Sequence, residues 1–112
     1  MKKLEVLVRH SRLDAVKNAI LEVGVRGMTV SDVKGFGRQG GHKEIYRGKE
    51  ILVEFLPKVK IEVALEDDLV EKAVKVICEA AATGAVGDGK IFISPLDNVV
   101  RIRTGEKGDK AL

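Results

Sequence analysis

The feature that most constrains this chain is a hydrophobic pattern that occurs twice, on either side of a polar, glycine-punctuated stretch at residues 35–50. In each run, strand-like alternation gives way to helical periodicity and then to a second alternation. In the first run, residues 4–9 read as a strand. Leu13, Val16, Ile20 and Val23 recur at helical spacing, Ser11 with Asp14 resembles a capping box, and Gly24 supplies a stop. Residues 28–33 alternate and form the next strand. In the second run, residues 51–56 and 59–65 read as a strand or hairpin arm interrupted at Pro57. Glu66, Asp67 and Asp68 place negative charge at a helix N-terminus, and Val70, Ala73, Val74, Ile77 and Ala81 supply that helix's apolar face. Residues 90–94 are a strand, residues 99–103 a short last strand, and the polar tail 105–112 is expected to be mobile. Two such β-α-β units predict one α+β domain over 1–112: a ferredoxin-like antiparallel sheet with both helices on one face. The opposite sheet face would then expose aliphatic surface, which predicts an oligomer.

Composition narrows the function classes. The chain has 112 residues, 45% of them hydrophobic and 33% charged, as expected of a folded domain and not of a disordered one. The net charge is +3, and its 20 basic and 17 acidic residues are interleaved without a basic block, which argues against nucleic-acid binding. No signal peptide or membrane span is expected, and a cytoplasmic location fits the single cysteine, Cys78, read as a small buried apolar residue. His10 and His42 have no cysteine or carboxylate at metal-ligand spacing.

The motifs that carry chemistry are glycine-rich. Gly84 to Lys90 has the spacing G-x-x-x-x-G-K, but Ile91 stands where a P-loop needs Ser or Thr, and the order is helix, loop, strand rather than strand, loop, helix. The physics survives: glycines let backbone N–H groups converge on an anion, and Lys90 adds a point charge. Gly35 to Gly40 is formally G-x-G-x-x-G, yet no apolar-periodic helix follows, so a dinucleotide fold is rejected. Arg101 and Arg103, two residues apart on a predicted strand, share a face that is either simply solvated or built for a polyphosphate between them. A phosphoryl-transfer enzyme is disfavoured because no general base stands near Lys90, and an RNA binder because no aromatic pair lies on the strands.

Longer motifs then become recognisable. Val33-Lys34-Gly35-Phe36-Gly37-Arg38-Gln39, Gly41-His42 and Tyr46-Arg47-Gly48 lead into Phe55-Leu56-Pro57-Lys58-Val59-Lys60-Ile61-Glu62. Thr83-Gly84, Gly87-Asp88-Gly89-Lys90-Ile91-Phe92 and Arg101-Ile102-Arg103-Thr104-Gly105-Glu106 follow. Over essentially the whole chain this resembles the PII nitrogen-regulatory signal proteins. The resemblance implies a non-enzymatic homotrimer of ferredoxin-like subunits with nucleotide bound in the three clefts between them. It makes residues 37–54 the T-loop, which docks onto targets, residues 83–90 the B-loop, and residues 101–105 the start of the C-loop. It assigns the ATP or ADP phosphates to Gly87, Gly89 and Lys90, with Arg101 and Arg103 reaching them from a neighbouring subunit. Thr29 and the backbone of Ala64 would meet adenine, Glu62 the ribose hydroxyls, and Gly35 and Arg38 also belong to the nucleotide site. Gln39 would complete the shell of a Mg²⁺ held by ATP and 2-oxoglutarate. Lys58 would pair with the distal carboxylate of 2-oxoglutarate, with backbone amides near Gly37 and Gly41 at its other end. Tyr46, Arg47 and Gly48 would meet the target, such as an ammonium channel, a nitrogen-assimilation enzyme or a transcriptional regulator.

Departures from the family pattern are equally specific. Arg9-His10-Ser11 replaces a usual Lys-Pro and an aromatic or acidic residue; Gly40 and Ala85 replace usual basic residues, and Ala64 a larger aliphatic. Many PII relatives are nucleotidylylated on the second tyrosine of Tyr-Arg-Gly-x-Glu-Tyr, and some are phosphorylated on a serine two positions earlier. Here Ile51 and Lys49 occupy those positions, so the resemblance implies that neither modification occurs.

Overall fold

The structure is a computed structural model that describes residues 1–36, 42–46, 48–53 and 55–112, with 42–46 and 49–53 described by their backbone alone. Its elements run β1 (Lys2–Val8), α1 (Leu13–Val23), β2 (Thr29–Gly35), β3 (His42–Tyr46), β4 (Lys49–Val53), β5 (Leu56–Leu65), α2 (Asp67–Ala81) and β6 (Lys90–Pro95), with short 3₁₀ turns at His10–Arg12 and Gly108–Ala111. The main sheet has the antiparallel order β2-β5-β1-β6, which is the predicted ferredoxin-like topology. β3 and β4 pair separately as an antiparallel hairpin, so the polar stretch contains regular structure that its glycines concealed. Gly48 lies in the turn of that hairpin at φ +75°, a conformation open to glycine.

Alternation builds the core. Leu4, Val6 and Val8 on β1, and Val59, Ile61, Val63 and Leu65 on β5, point to one side and are buried. Val16, Ile20 and Val23 of α1 and Ala73, Ile77 and Ala81 of α2 cover them, leaving one aliphatic core beneath both helices. Gly24 ends α1 in the left-handed conformation, its N–H bonded to the Leu21 carbonyl. Asp67 and Asp68 occupy the first turn of α2, where Asp67 lies 3.0 Å from the N-terminal amine.

Five expectations are corrected. Ser11 does not cap α1: His10–Arg12 forms a 3₁₀ turn that delays the helix start to Leu13. Pro57 does not interrupt β5, because it sits beyond the end of β1 and faces a strand neighbour only on the β2 side. Residues 99–103 are not a strand. Val100 makes an isolated bridge to Lys107, and the Gly105 N–H bonds to the Arg101 carbonyl, closing a turn. The tail beyond it is tied down: the Gly108 N–H meets the Val99 carbonyl and Asn98 Oδ1. Cys78 is exposed rather than buried, one position past Ile77 on α2.

The uncovered sheet face carries apolar residues, as expected, but also a charged network. β1 and β5 present Lys3, Glu5, Lys58, Lys60 and Glu62 there, joined by ion pairs Lys3–Glu5 (3.4 Å), Lys3–Glu62 (3.0 Å) and Lys60–Glu62 (3.2 Å). The register places Leu7, Val33 and Phe92 on the same face, and Phe92 is half exposed. Among the described residues no helix is long and apolar enough to cross a membrane.

Candidate functional site

Eight of the predicted site residues fall into two clefts at opposite ends of the sheet. The first, ≈ 450 Å³, is lined by Gly35, Phe36, Lys58, Gly87, Asp88, Gly89 and Lys90, with Leu7, Ala85 and Phe92. It lies where β1 and β2 end and β5 begins. The second, ≈ 390 Å³, is lined by Lys3, Gly27, Met28, Thr29, Glu62, Val63 and Ala64. Thr29 faces Glu62 across the β2–β5 ladder. The clefts share no lining residue. From Thr29 to Gly35, β2 advances about 20 Å, and the Lys3–Glu62–Lys60 ion pairs stand on the face between.

The loop over the first cleft is held by an acid that the motif reading passed over. Asp88 Oδ2 accepts from the backbone N–H groups of Thr83 (2.7 Å) and Gly84 (3.0 Å). Its Oδ1 accepts from the Thr83 hydroxyl and from Arg9 Nε, the latter at 3.2 Å. Arg9 also donates from Nη2 to the Val86 carbonyl at 2.7 Å, and Lys58 Nζ donates to the Gly87 carbonyl at 2.6 Å. The only acid in the loop is thus turned inward and paired, which leaves Lys90 and the glycine backbone to meet an anion. The Thr83 hydroxyl and amide, with help from Arg9 and the Gly84 amide, hold the Asp88 carboxyl far below the usual carboxylate range. Burial and the neighbouring Arg9 charge lower the Lys58 ammonium. Gly89 is required on steric grounds alone: a Cβ built there would lie 1.7 Å from the Leu7 carbonyl oxygen, at φ +109°.

Arg101 belongs to the other end of the molecule. It pairs with Glu106 at 3.0 Å and donates to the Leu112 carbonyl at 3.3 Å. Leu112 and Ala111 pack near Gly24, Gly27 and Ala64, beside the second cleft. Arg103 is exposed in the same turn, so the pair does not share a strand face, and the structure does not bring it to Lys90 within one chain. Gly37, Arg38, Gln39, Gly41 and Arg47 lie outside the described residues, as does the Tyr46 side chain. Phe36 and Phe55, which bracket that stretch, pack edge to face with ring centroids 6.3 Å apart.

The Asp88 geometry has a consequence in acid. Its folded-state pKa is depressed, so its contribution to stability is present above the ordinary carboxyl value of about 3.9 and is lost as pH falls below it. Thermal melts across this range should show Asp88→Asn less stable than the parent at pH 7, with the two curves converging in acid. Parallel curves would remove Asp88 as the hub of the loop.

Comparison with known proteins follows the same outline. The family model for nitrogen regulatory protein P-II matches residues 1–106. A nitrogen regulatory protein P-II of Azospirillum brasilense is 60% identical over 112 residues, the full length of both chains. Nitrogen regulatory protein P-II 1 of Escherichia coli K12 is 54% identical, again over the full length of both. The crystal structure of Arabidopsis thaliana PII bound to citrate matches with a TM-score of 0.80 and 43% identity, covering 99% of this chain and 91% of that one. Whole-length agreement at this identity, on the same sheet order and helix placement, makes the chain a member of the nitrogen regulatory protein P-II family.

Proposed function

We propose that the chain is a non-enzymatic cytoplasmic signalling subunit that reads ATP, ADP and 2-oxoglutarate and passes the result to a nitrogen-metabolism target through residues 37–54. The observation that carries this reading is the separation of two complementary half-sites on one chain. The glycine loop with Lys90 suits phosphates, while the Thr29, Glu62 and Ala64 cleft suits a nucleoside. A nucleotide joining them within one subunit would have to lie across the Lys3–Glu62–Lys60 ion pairs in open solvent. Placing the second half-site of one copy against the first half-site of the next encloses the nucleotide instead. It also brings Arg101 and Arg103 toward the phosphates, since their turn sits beside the second half-site. A closed ring, here a homotrimer, satisfies every half-site.

The 2-oxoglutarate assignment rests on Lys58, which lines the phosphate cleft. The Arabidopsis relative, recorded with the tricarboxylate citrate, supports small polycarboxylates as ligands of this fold. Mg²⁺, when bound, would offset the charge of the phosphates and the effector. Asp88 is committed within its loop, so this reading leaves Gln39 as the side chain that would hold the cation. A ligand shifts the loop only by its differential affinity for the loop's two forms, so ATP with 2-oxoglutarate and ADP must favour different ones.

Calorimetry should show 2-oxoglutarate binding only when Mg-ATP is present, with Lys58→Ala abolishing it and Arg103→Ala weakening ATP. Equal 2-oxoglutarate affinity with and without ATP would refute the shared-cation coupling. A sedimenting mass near one subunit at micromolar concentration would refute the ring.

Output is proposed to follow ligand occupancy alone, because Ile51 and Lys49 offer no hydroxyl at the positions that relatives modify. Protein from nitrogen-starved and nitrogen-replete cells should have the same intact mass. An added nucleotide mass on a peptide containing Tyr46 would overturn this.

A further inference from the structure

We infer that Lys3 and Lys60 are positioning residues for Glu62: they aim its carboxylate at the ribose hydroxyls of a bound nucleotide and so set a preference for ribonucleotides over deoxyribonucleotides. The inference rests on the nucleotide reading above. It starts from the register of the sheet. The β1–β5 ladder places Glu5 directly opposite Glu62, and like charges in that relation repel. Lys3 resolves the conflict from the neighbouring position, with Nζ 3.0 Å from Glu62 Oε2 and 3.4 Å from Glu5 Oε1. Lys60, two residues before Glu62 on the same face of β5, reaches the other oxygen, Oε1, at 3.2 Å.

Each Glu62 oxygen therefore has its own ammonium, and rotation of the carboxylate breaks at least one contact. An ionised carboxylate offers about four acceptor sites, so both oxygens can still accept from a ligand. The hydrogen bonds from Lys3 and Lys60 lower the Glu62 pKa, and Glu62 in turn raises that of Lys3. At neutral pH Glu62 is ionised and an acceptor only, the form that vicinal hydroxyls can donate to. The side chains of Lys3, Lys60 and Glu62 are 36%, 31% and 28% exposed. Pairs this open to water contribute little to folding, so the consequence of the network is the aim of the carboxylate. Lys3 lines the same cleft as Thr29, Glu62 and Ala64, so the network stands at the ligand position and not behind it.

The test is calorimetric titration of the assembled protein with ATP and with 2′-deoxy-ATP, for the parent, Lys3→Met, Lys60→Met and Lys3→Arg. Sedimentation checks that each variant keeps the parent assembly. The parent should prefer ATP by about 10-fold, the worth of one hydrogen bond to a charged group. Lys3→Met and Lys60→Met should bring that ratio toward one, chiefly by weakening ATP, while Lys3→Arg retains it. A parent that binds both nucleotides equally, or a ratio unchanged in both Met variants, overturns the proposal and leaves the nucleotide reading standing. A parent that binds neither nucleotide removes that reading, and this proposal with it.

Discussion

The pairing register of β1 with β5 is the constraint on which the rest of the structure depends. These two central strands carry seven of the buried aliphatic side chains, Leu4, Val6, Val8, Val59, Ile61, Val63 and Leu65. Between them, Lys3, Glu5, Lys58, Lys60 and Glu62 are the charged groups that these two strands turn to the open face. A slip of one residue would exchange the two sets, placing charge under the helices and aliphatic surface in water. Core formation and site formation are therefore one event: burying Val59 and Ile61 turns Lys58, Lys60 and Glu62 outward.

The same register makes the two clefts different in kind. At the Leu7 end, Gly89 comes so close to the β1 backbone that no side chain fits, and Arg9 and Asp88 fasten the loop to the strand end. At the Lys3 end, Glu62 is held by ammonium groups on the sheet surface. One cleft is lined by the glycine loop and Lys90, the other by the Glu62 carboxylate with Thr29 beside it. Phe36 and Phe55, where β2 ends and β5 is about to begin, set the base from which residues 37–54 depart.

Much of this was legible in the sequence because aliphatic periodicity is a local signal. The helix faces of Val16, Ile20 and Val23 and of Ala73, Ile77 and Ala81 could be read directly, as could the alternation of β5. What escaped depends on contacts distant in sequence. The charges of the open face were visible one by one, but that Lys3 meets Glu62 follows only once β1 pairs with β5. Thr83 and Asp88 stand five residues apart in a glycine-rich run, and their common hub with Arg9 needs the loop to fold onto the end of β1. Arg101 and Arg103 alternate like strand residues, but with no neighbouring strand to continue a ladder, bonds within residues 98–108 close a turn instead. The family motifs carried the assignment of Thr29, Glu62 and Ala64, and the structure adds that these three share a cleft.

The central claim is that one nucleotide is bound by halves of two different copies, and subunit mixing tests it directly. Lys90→Ala damages the phosphate half and Glu62→Ala the nucleoside half, so each variant alone should bind ATP weakly. Unfolded together at equal concentration and refolded, the two should regain parent-like affinity at roughly one quarter of the clefts, where both intact halves meet. Failure of the mixture to bind any better than the separate variants, with mixed assemblies shown to have formed, would contradict the claim and return the site to a single chain.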